Sequence, residues 1–224
     1  MVKKIATLTI GQAPRVDMLP LLEKYLPAGD MEHFGVLDGL TYDEVKAQFG
    51  PGDGDKILVS RMKDGAEARL GSSKIEAGLQ RKIDKLGAEG YKVIMLLCTG
   101  EFHKLKSDRA LLIEPDRVIP VTVNAMIADR QLGIMVPAEE QIVEQEAKWH
   151  MLRRKPVCDF ASPYTGSDDE LISAAKRLQE AGAEFIVLDC MGYNEKHTVV
   201  IEKAVTVPVL LSNRLMARIV AEFI

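Results

Sequence analysis

The chain has 224 residues, 47% hydrophobic and 28% charged, with a formal net charge of −4. That is the make-up of a globular protein with room for one large core or two small ones, and its acidity gives no electrostatic basis for binding nucleic acid. No apolar run approaches the roughly 18 residues of a membrane span, and Met1-Val2-Lys3-Lys4 leads too quickly to Gly11 and Pro14 for a signal peptide, so a cytoplasmic protein without membrane attachment is expected.

Strand-like runs are predicted over residues 5–10, 32–37, 91–97, 117–123, 131–136, 157–161, 184–189 and 207–211. Helical patterns separate them, which is the signature of an α/β fold on largely parallel sheets. The first run ends in Thr9-Ile10-Gly11-Gln12-Ala13-Pro14-Arg15. Gly11 permits a close turn, Thr9 and Gln12 carry hydrogen-bond donors, and Arg15 either grips a carboxylate through two N–H groups or lies on the surface. The Gly-x-Gly-x-x-Gly spacing of dinucleotide sites is absent. Pro14 opens the next helix, or Asp17 caps it with Pro20 in the first turn. Residues 50–55 read as a mobile loop with too few acids for a calcium site. Runs flanking Lys63-Asp64-Gly65 predict an antiparallel hairpin inserted in the first half. Capping boxes are expected at Ser73 with Glu76 and at Ser167 with Glu170, and helix stops at Gly90 and Gly182.

Three cysteines in a chain of this length are no disulfide framework. Two of them occupy matching places. Cys98 follows the run 91–97 and Cys190 the run 184–189, and each is followed by a glycine two residues on, Gly100 and Gly192. Both thiols are expected at the carboxyl ends of buried parallel strands with a helix after them, where ligands of open α/β sheets bind. Cysteine loop, helix, Pro-Val strand and Asn-led helix recur about 90 residues apart, at Pro120 and Asn124 and again at Pro208 and Asn213. Either two similar lobes face one another across a cleft, or two ordinary βα units look alike. The lobes would be residues 1–122, completed by a C-terminal helix 212–224, and residues 123–211.

In the two-lobed reading the thiols reach a carbon from opposite sides. One, as thiolate, removes a proton and the other returns one, which inverts a stereocentre without a metal or organic cofactor. The competing reading of either cysteine alone is a small buried hydrophobe, and it is the one adopted for Cys158. Thr99, Gly100, Met191 and Gly192 offer backbone N–H groups to an enolate-like oxygen. Asn124 and Asn213 cap helices or, with Ser212, line the cleft. Strand alternation should turn Asp189 away from Cys190. His103 and His197, placed on the first turns of the following helices, tune the thiols or are surface residues like His33 and His150, and none has metal-ligand spacing.

Several segments carry a resemblance to a known family. They are Leu8-Thr9-Ile10-Gly11 with Pro14, the hairpin and the stretch around Ser73, Glu114-Pro115 with Arg117 and Pro120, Gly133 with Val136-Pro137, Gln145 with Lys148-Trp149, Leu188-Asp189-Cys190-Met191-Gly192, and Val207-Pro208-Val209-Leu210-Leu211-Ser212-Asn213. Over essentially its full length the chain resembles the AroM family, which is similar to the aspartate/glutamate racemase superfamily of amino-acid and hydantoin racemases, maleate isomerase and arylmalonate decarboxylase. The resemblance implies two pseudo-symmetric flavodoxin-like lobes, three-layer α/β/α, with a catalytic cysteine from each, no cofactor and a small carboxylate as ligand. A homodimer is compatible with it. Met191 departs from the pattern, standing where such racemases usually have threonine. Two functions stay open: a cofactor-independent racemase, epimerase or isomerase, and a small-molecule-binding or regulatory protein that keeps the cleft without turnover.

Overall fold

The computed structural model describes residues 5–223, so the lead-in 1–4 and Ile224 lie outside the described residues. The chain forms strand β1 (Ile5–Thr9), helix α1 (Leu19–Tyr25), β2 (Met31–Gly35), α2 (Tyr42–Phe49), β3 (Ile57–Arg61), β4 (Glu67–Gly71), α3 (Ser72–Ala88), β5 (Val93–Leu96), β6 (Leu111–Ile113) and α4 (Pro115–Ile127). It continues with β7 (Leu132–Val136), the one-turn α5 (Gln145–Lys148), β8 (Val157–Phe160), α6 (Asp168–Glu180), β9 (Phe185–Leu188), α7 (Glu195–Glu202), β10 (Val209–Leu211) and α8 (Ser212–Ala221).

Two all-parallel sheets result, ordered β2-β1-β5-β6 and β8-β7-β9-β10, beside the antiparallel β3–β4 hairpin. Each sheet has the 2-1-3-4 order of a flavodoxin-like doubly wound fold. β1, β5 and β7 are buried along their whole length, as parallel strands covered on both faces must be. Helix α3 lays Ile75, Leu79, Ile83 and Leu86 into the first core at helical spacing, and α6 buries Leu171, Ala174, Ala175 and Leu178 in the second. α6 packs on β7 and β8. Its Ser167–Glu170 capping box is formed, and Gly90 and Gly182 end helices at φ +93° and +95°, as expected.

The two sheets also repeat individual backbone bonds. Leu97 N donates to Leu8 O and Val36 N to Thr9 O in one, while Asp189 N donates to Met135 O and Ala161 N to Val136 O in the other. This register makes β6 with α4 the counterpart of β10 with α8. The chain divides into compact units, Met1–Pro115 with Ala217–Ile224, and Asp116–Met216. The expected boundaries at 122/123 and 211/212 thus move to the start of α4 and into the middle of α8. From Ala217 onward α8 belongs to the first unit, where the Arg218 guanidinium lies over the Tyr25 ring at 5.2 Å.

Four local expectations need correction. Residues 117–123 are helix, not strand: Pro115 and Asp116 open α4, and Ile119, Val123 and Ile127 are buried at a spacing of four. Ser73 is not a cap, because β4 runs directly into α3 and Gly71 takes the cap position. The Ser73 hydroxyl donates instead to Asp55, and Glu76 accepts from Lys104 N. No helix follows Cys98 directly; the chain runs irregularly to β6, leaving His103 exposed on a loop. The 50–55 loop is tied at its end by Asp55, which accepts from Gly52 N as well as from Ser73.

Candidate functional site

In a 2-1-3-4 sheet the strand order reverses between β1 and β5, or between β7 and β9, and ligands bind outside the carboxyl ends there. Cys98 stands two residues beyond β5 and Cys190 two residues beyond β9, so each thiol occupies the switch point of its own sheet. Both are buried, 9% and 7% exposed, and neither forms a disulfide. Gly100 N donates to the Cys98 sulfur at 3.4 Å, and Gly192 N donates to the Cys190 sulfur at 3.3 Å. The same Cys-x-Gly turn is therefore built twice. Neither glycine has room for a methyl group: at 100 it would meet Leu58 Cδ2 at 2.7 Å, and at 192 it would enter the Tyr164 ring.

In the first unit, Thr9 and Gly11 lie at the end of β1 beside the Cys98 loop. Thr9 Oγ1 accepts from Gly11 N, and Gly11 packs against Ser60 and Arg61 of the hairpin. Gln12 is a strut. Its amide donates to Leu37 O at 3.1 Å and Leu40 O at 2.7 Å while its Oε1 accepts from Lys63 N, which binds the hairpin tip to the turn after β2. Arg15 is buried and donates through Nε and Nη2 to the Asp17 carboxylate at 2.9 and 2.6 Å. Burial pushes the Asp17 carboxyl up, but the hydrogen bonds and charge of Arg15 outweigh it and hold the group below its ordinary value. Asp17 is thereby committed, and Met18 takes the cap position of α1 without a side-chain bond, with Pro20 tolerated in the first turn. Gln12, Arg15, Asp17, Arg61 and Lys63 help line a cavity of about 340 Å³. Thr99 is buried next to Cys98.

In the second unit the Cys190 loop is held from two sides. The Asn213 amide donates to Met191 O at 3.0 Å and to Tyr193 O at 2.6 Å, and Ser212, also buried, opens α8 beside it. The Tyr193 hydroxyl donates to Ala161 O at 2.7 Å, joining the loop to the turn after β8. Burial first, then the nearby Cys190, Asp189 and Tyr164, push the Tyr193 phenol well up, so it keeps its proton. Asp189 is occupied by Lys148 at 2.6 Å. Asn124 is not at a strand end but ten residues into α4, half-buried, because the Pro-Val segment before it is helical. Cys158 lies half-buried on β8 opposite Ile134. His103 and His150 are exposed, whereas His33 bonds Thr7 and His197 lies edge-on to Tyr193, both half-buried.

Three neighbours were not singled out from the sequence. Tyr164 places its hydroxyl 3.7 Å from the Cys190 sulfur. Lys148 reaches Asp189 from 41 residues away. Glu114, buried at the end of β6, holds the place that Ser212 holds after β10. Glu114 and Lys148 were visible only as parts of the family resemblance. Among the described residues no cluster of three or more His, Cys, Asp or Glu is arranged to hold a metal, and no helix is long and apolar enough to cross a membrane.

Two flavodoxin-like parallel sheets, each with a cysteine turn at its switch point, define the fold class of the protein. Solved structures agree on the fold. Unliganded arylmalonate decarboxylase is 13% identical over 98% of this chain and 91% of that one, with a TM-score of 0.61. The glutamate racemase from Aquifex pyrophilus is 11% identical over 99% and 84%, TM-score 0.58, and the allantoin racemase from Klebsiella pneumoniae 13% over 98% and 86%, TM-score 0.57. Comparison with curated proteins gives no match. The sequence matches the family described as AroM protein over residues 5–224, and the chain belongs to the AroM family.

Proposed function

We propose that the protein is a cofactor-independent racemase, epimerase or isomerase of a small carboxylate, with Cys98 and Cys190 as the proton carriers. The observation that carries this reading is the duplicated turn, a glycine N–H aimed at a buried sulfur at both switch points. An N–H donor stabilises a thiolate more than a thiol, so the same turn prepares either cysteine to act as base. One thiolate takes the proton from the carbon next to the carboxylate, becoming a thiol. The other thiol then delivers its proton to the opposite face, becoming the thiolate. The enzyme ends with its protonation states exchanged, ready for the opposite enantiomer. The fold-mates named as racemases and as a decarboxylase support the class of chemistry and leave the substrate open.

A binding protein without turnover is the second reading, and one observation favours it. Gln12 and Arg15, the donors expected to grip a carboxylate, are engaged with Leu37, Leu40, Lys63 and Asp17 of the protein itself. Solvent deuterium exchange at Cα separates the two. It is measured on aspartate, glutamate, hydantoins and substituted malonates, with wild type, Cys98→Ser and Cys190→Ser. Exchange that needs both thiols is the expected result. Binding without exchange, unaffected by either substitution, would replace the catalytic reading with the second one.

A further inference from the structure

An aromatic side chain covers the glycine of the Cys190 turn. Tyr164 lies over Gly192, its ring filling the space a side chain would take, and its hydroxyl stands 3.7 Å from the Cys190 sulfur. The loop that carries it is locked. Ser162 Oγ accepts from Tyr164 N and Thr165 N, Ser162 O accepts from Gly166 N, and the buried Tyr193 hydroxyl holds Ala161 O. Residue 164 is thus tied to the cysteine loop both through Tyr193 and through its own ring. We infer that Tyr164 is a positioning residue, whose hydroxyl donates to the Cys190 sulfur and holds it as thiolate.

The direction of the bond follows from acidity. A phenol ordinarily ionises near pH 10 and a thiol near 8.5, so in the singly charged pair the negative charge rests on sulfur and the oxygen keeps the proton. Gly192 N and Tyr164 Oη then both donate to Cys190, and Gly100 N donates to Cys98 in the matching turn. Around Cys190 in its unit stand Asp189 with its partner Lys148, Tyr164, Tyr193, and His197 behind Tyr193. Tyr193 keeps its proton, burial holds the His197 imidazole below its ordinary value, and the Asp189–Lys148 pair is present in parent and variant alike. The inference rests on Cys190 being a working thiol, but its test needs no substrate.

The test is the pH dependence of iodoacetamide alkylation at Cys190 in full-length protein carrying Cys98→Ser and Cys158→Ser. Tyr164→Phe keeps the ring on Gly192 and deletes the hydroxyl. The alkylation midpoint should rise by on the order of half to one pH unit, the loss of one hydrogen bond to a charged acceptor. Gly192→Ala keeps the hydroxyl but drives the ring off its seat, and should move the midpoint the same way even if the phenylalanine variant does not fold. An unchanged midpoint in folded Tyr164→Phe overturns the assignment, and a lowered one reverses it, making Cys190 the donor. Failure of deuterium exchange with every carboxylate would overturn the catalytic reading while leaving this result standing.

Discussion

Lys148 Nζ stands 2.6 Å from Asp189 Oδ2 with the two side chains 5% and 1% exposed, one residue before Cys190. The short helix α5 delivers the lysine, and Trp149 beside it is fixed by its indole N–H donating to Gln145 Oε1 at 3.0 Å. Leu97 is the counterpart of Asp189 in the first sheet, since both donate their N–H to the neighbouring strand one residue before the cysteine. One cysteine turn is thus preceded by a buried ion pair and the other by an apolar side chain. Two turns alike in backbone are unlike in electrostatics.

Lys148→Met strands a carboxylate in the interior, and should cost about 3–5 kcal/mol. Lys148→Met combined with Asp189→Leu removes both charges and should recover most of that loss. Urea unfolding followed by tryptophan fluorescence measures both. A single variant less than ~1 kcal/mol below wild type would show that the pair does not hold the loop.

Asn213 supplies the second prediction. Its amide satisfies two carbonyls of the cysteine loop, so Asn213→Ala should cost roughly 2–4 kcal/mol by orphaning both. Asn213→Asp also turns a carboxylate toward those carbonyls and should be worse at neutral pH. Thermal unfolding should rank wild type above Ala and Ala above Asp. Equal losses would count against the two-carbonyl geometry.

How far the sequence reached depended on whether the information was local. Four inner strands were legible because β1, β5, β7 and β9 are short apolar runs, and α6 because Ser167, Glu170 and Gly182 mark both its ends. The Cys-x-Gly turns were legible as a motif repeated at like positions. Residues 117–123 misled because Val118, Val121 and Val123 are β-branched around Pro120, while the helical spacing of Ile119, Val123 and Ile127 needs the longer window. β6 has three residues, too few to show a period. Lys148 and Tyr164 could not be read at all as neighbours of the Cys190 loop. No spacing ties them to 189 or 190, and only the sheet brings them there. The bonds of Gln12 were illegible for the same reason: its partners at 37, 40 and 63 are tertiary.

Gly100→Ala tests the packing of the hairpin on the first cysteine turn. The new methyl would meet Leu58 Cδ2 at 2.7 Å, and the well-packed strand β3 should yield at a cost of roughly 1–3 kcal/mol. Leu58→Ala vacates that space. In a double-mutant cycle the two substitutions together should therefore cost less than their sum by ~1 kcal/mol or more. Strict additivity would mean the methyl group is accommodated elsewhere.

His197 supplies a pH dependence with a definite sign. It is the third residue of α7, where its Nδ1 accepts from Asn194 N at 3.2 Å and Asn194 Oδ1 accepts in return from His197 N. That reciprocal cap requires a neutral ring, since a protonated Nδ1 would face another donor and place positive charge at a helix N-terminus. Burial lowers its pKa below the ordinary 6.5, with Asp168 opposing and Lys196 assisting. The unfolded chain therefore binds the proton first as pH falls. Stability is complete above about pH 6.5 and declines below it until the folded-state pKa is passed. His33, lowered mainly by burial, acts in the same direction. His197→Gln keeps an acceptor at the third position without the titration, so its loss of melting temperature between pH 7.5 and pH 5.5 should be smaller than that of wild type. An equal loss in both proteins would assign the acid sensitivity to other groups.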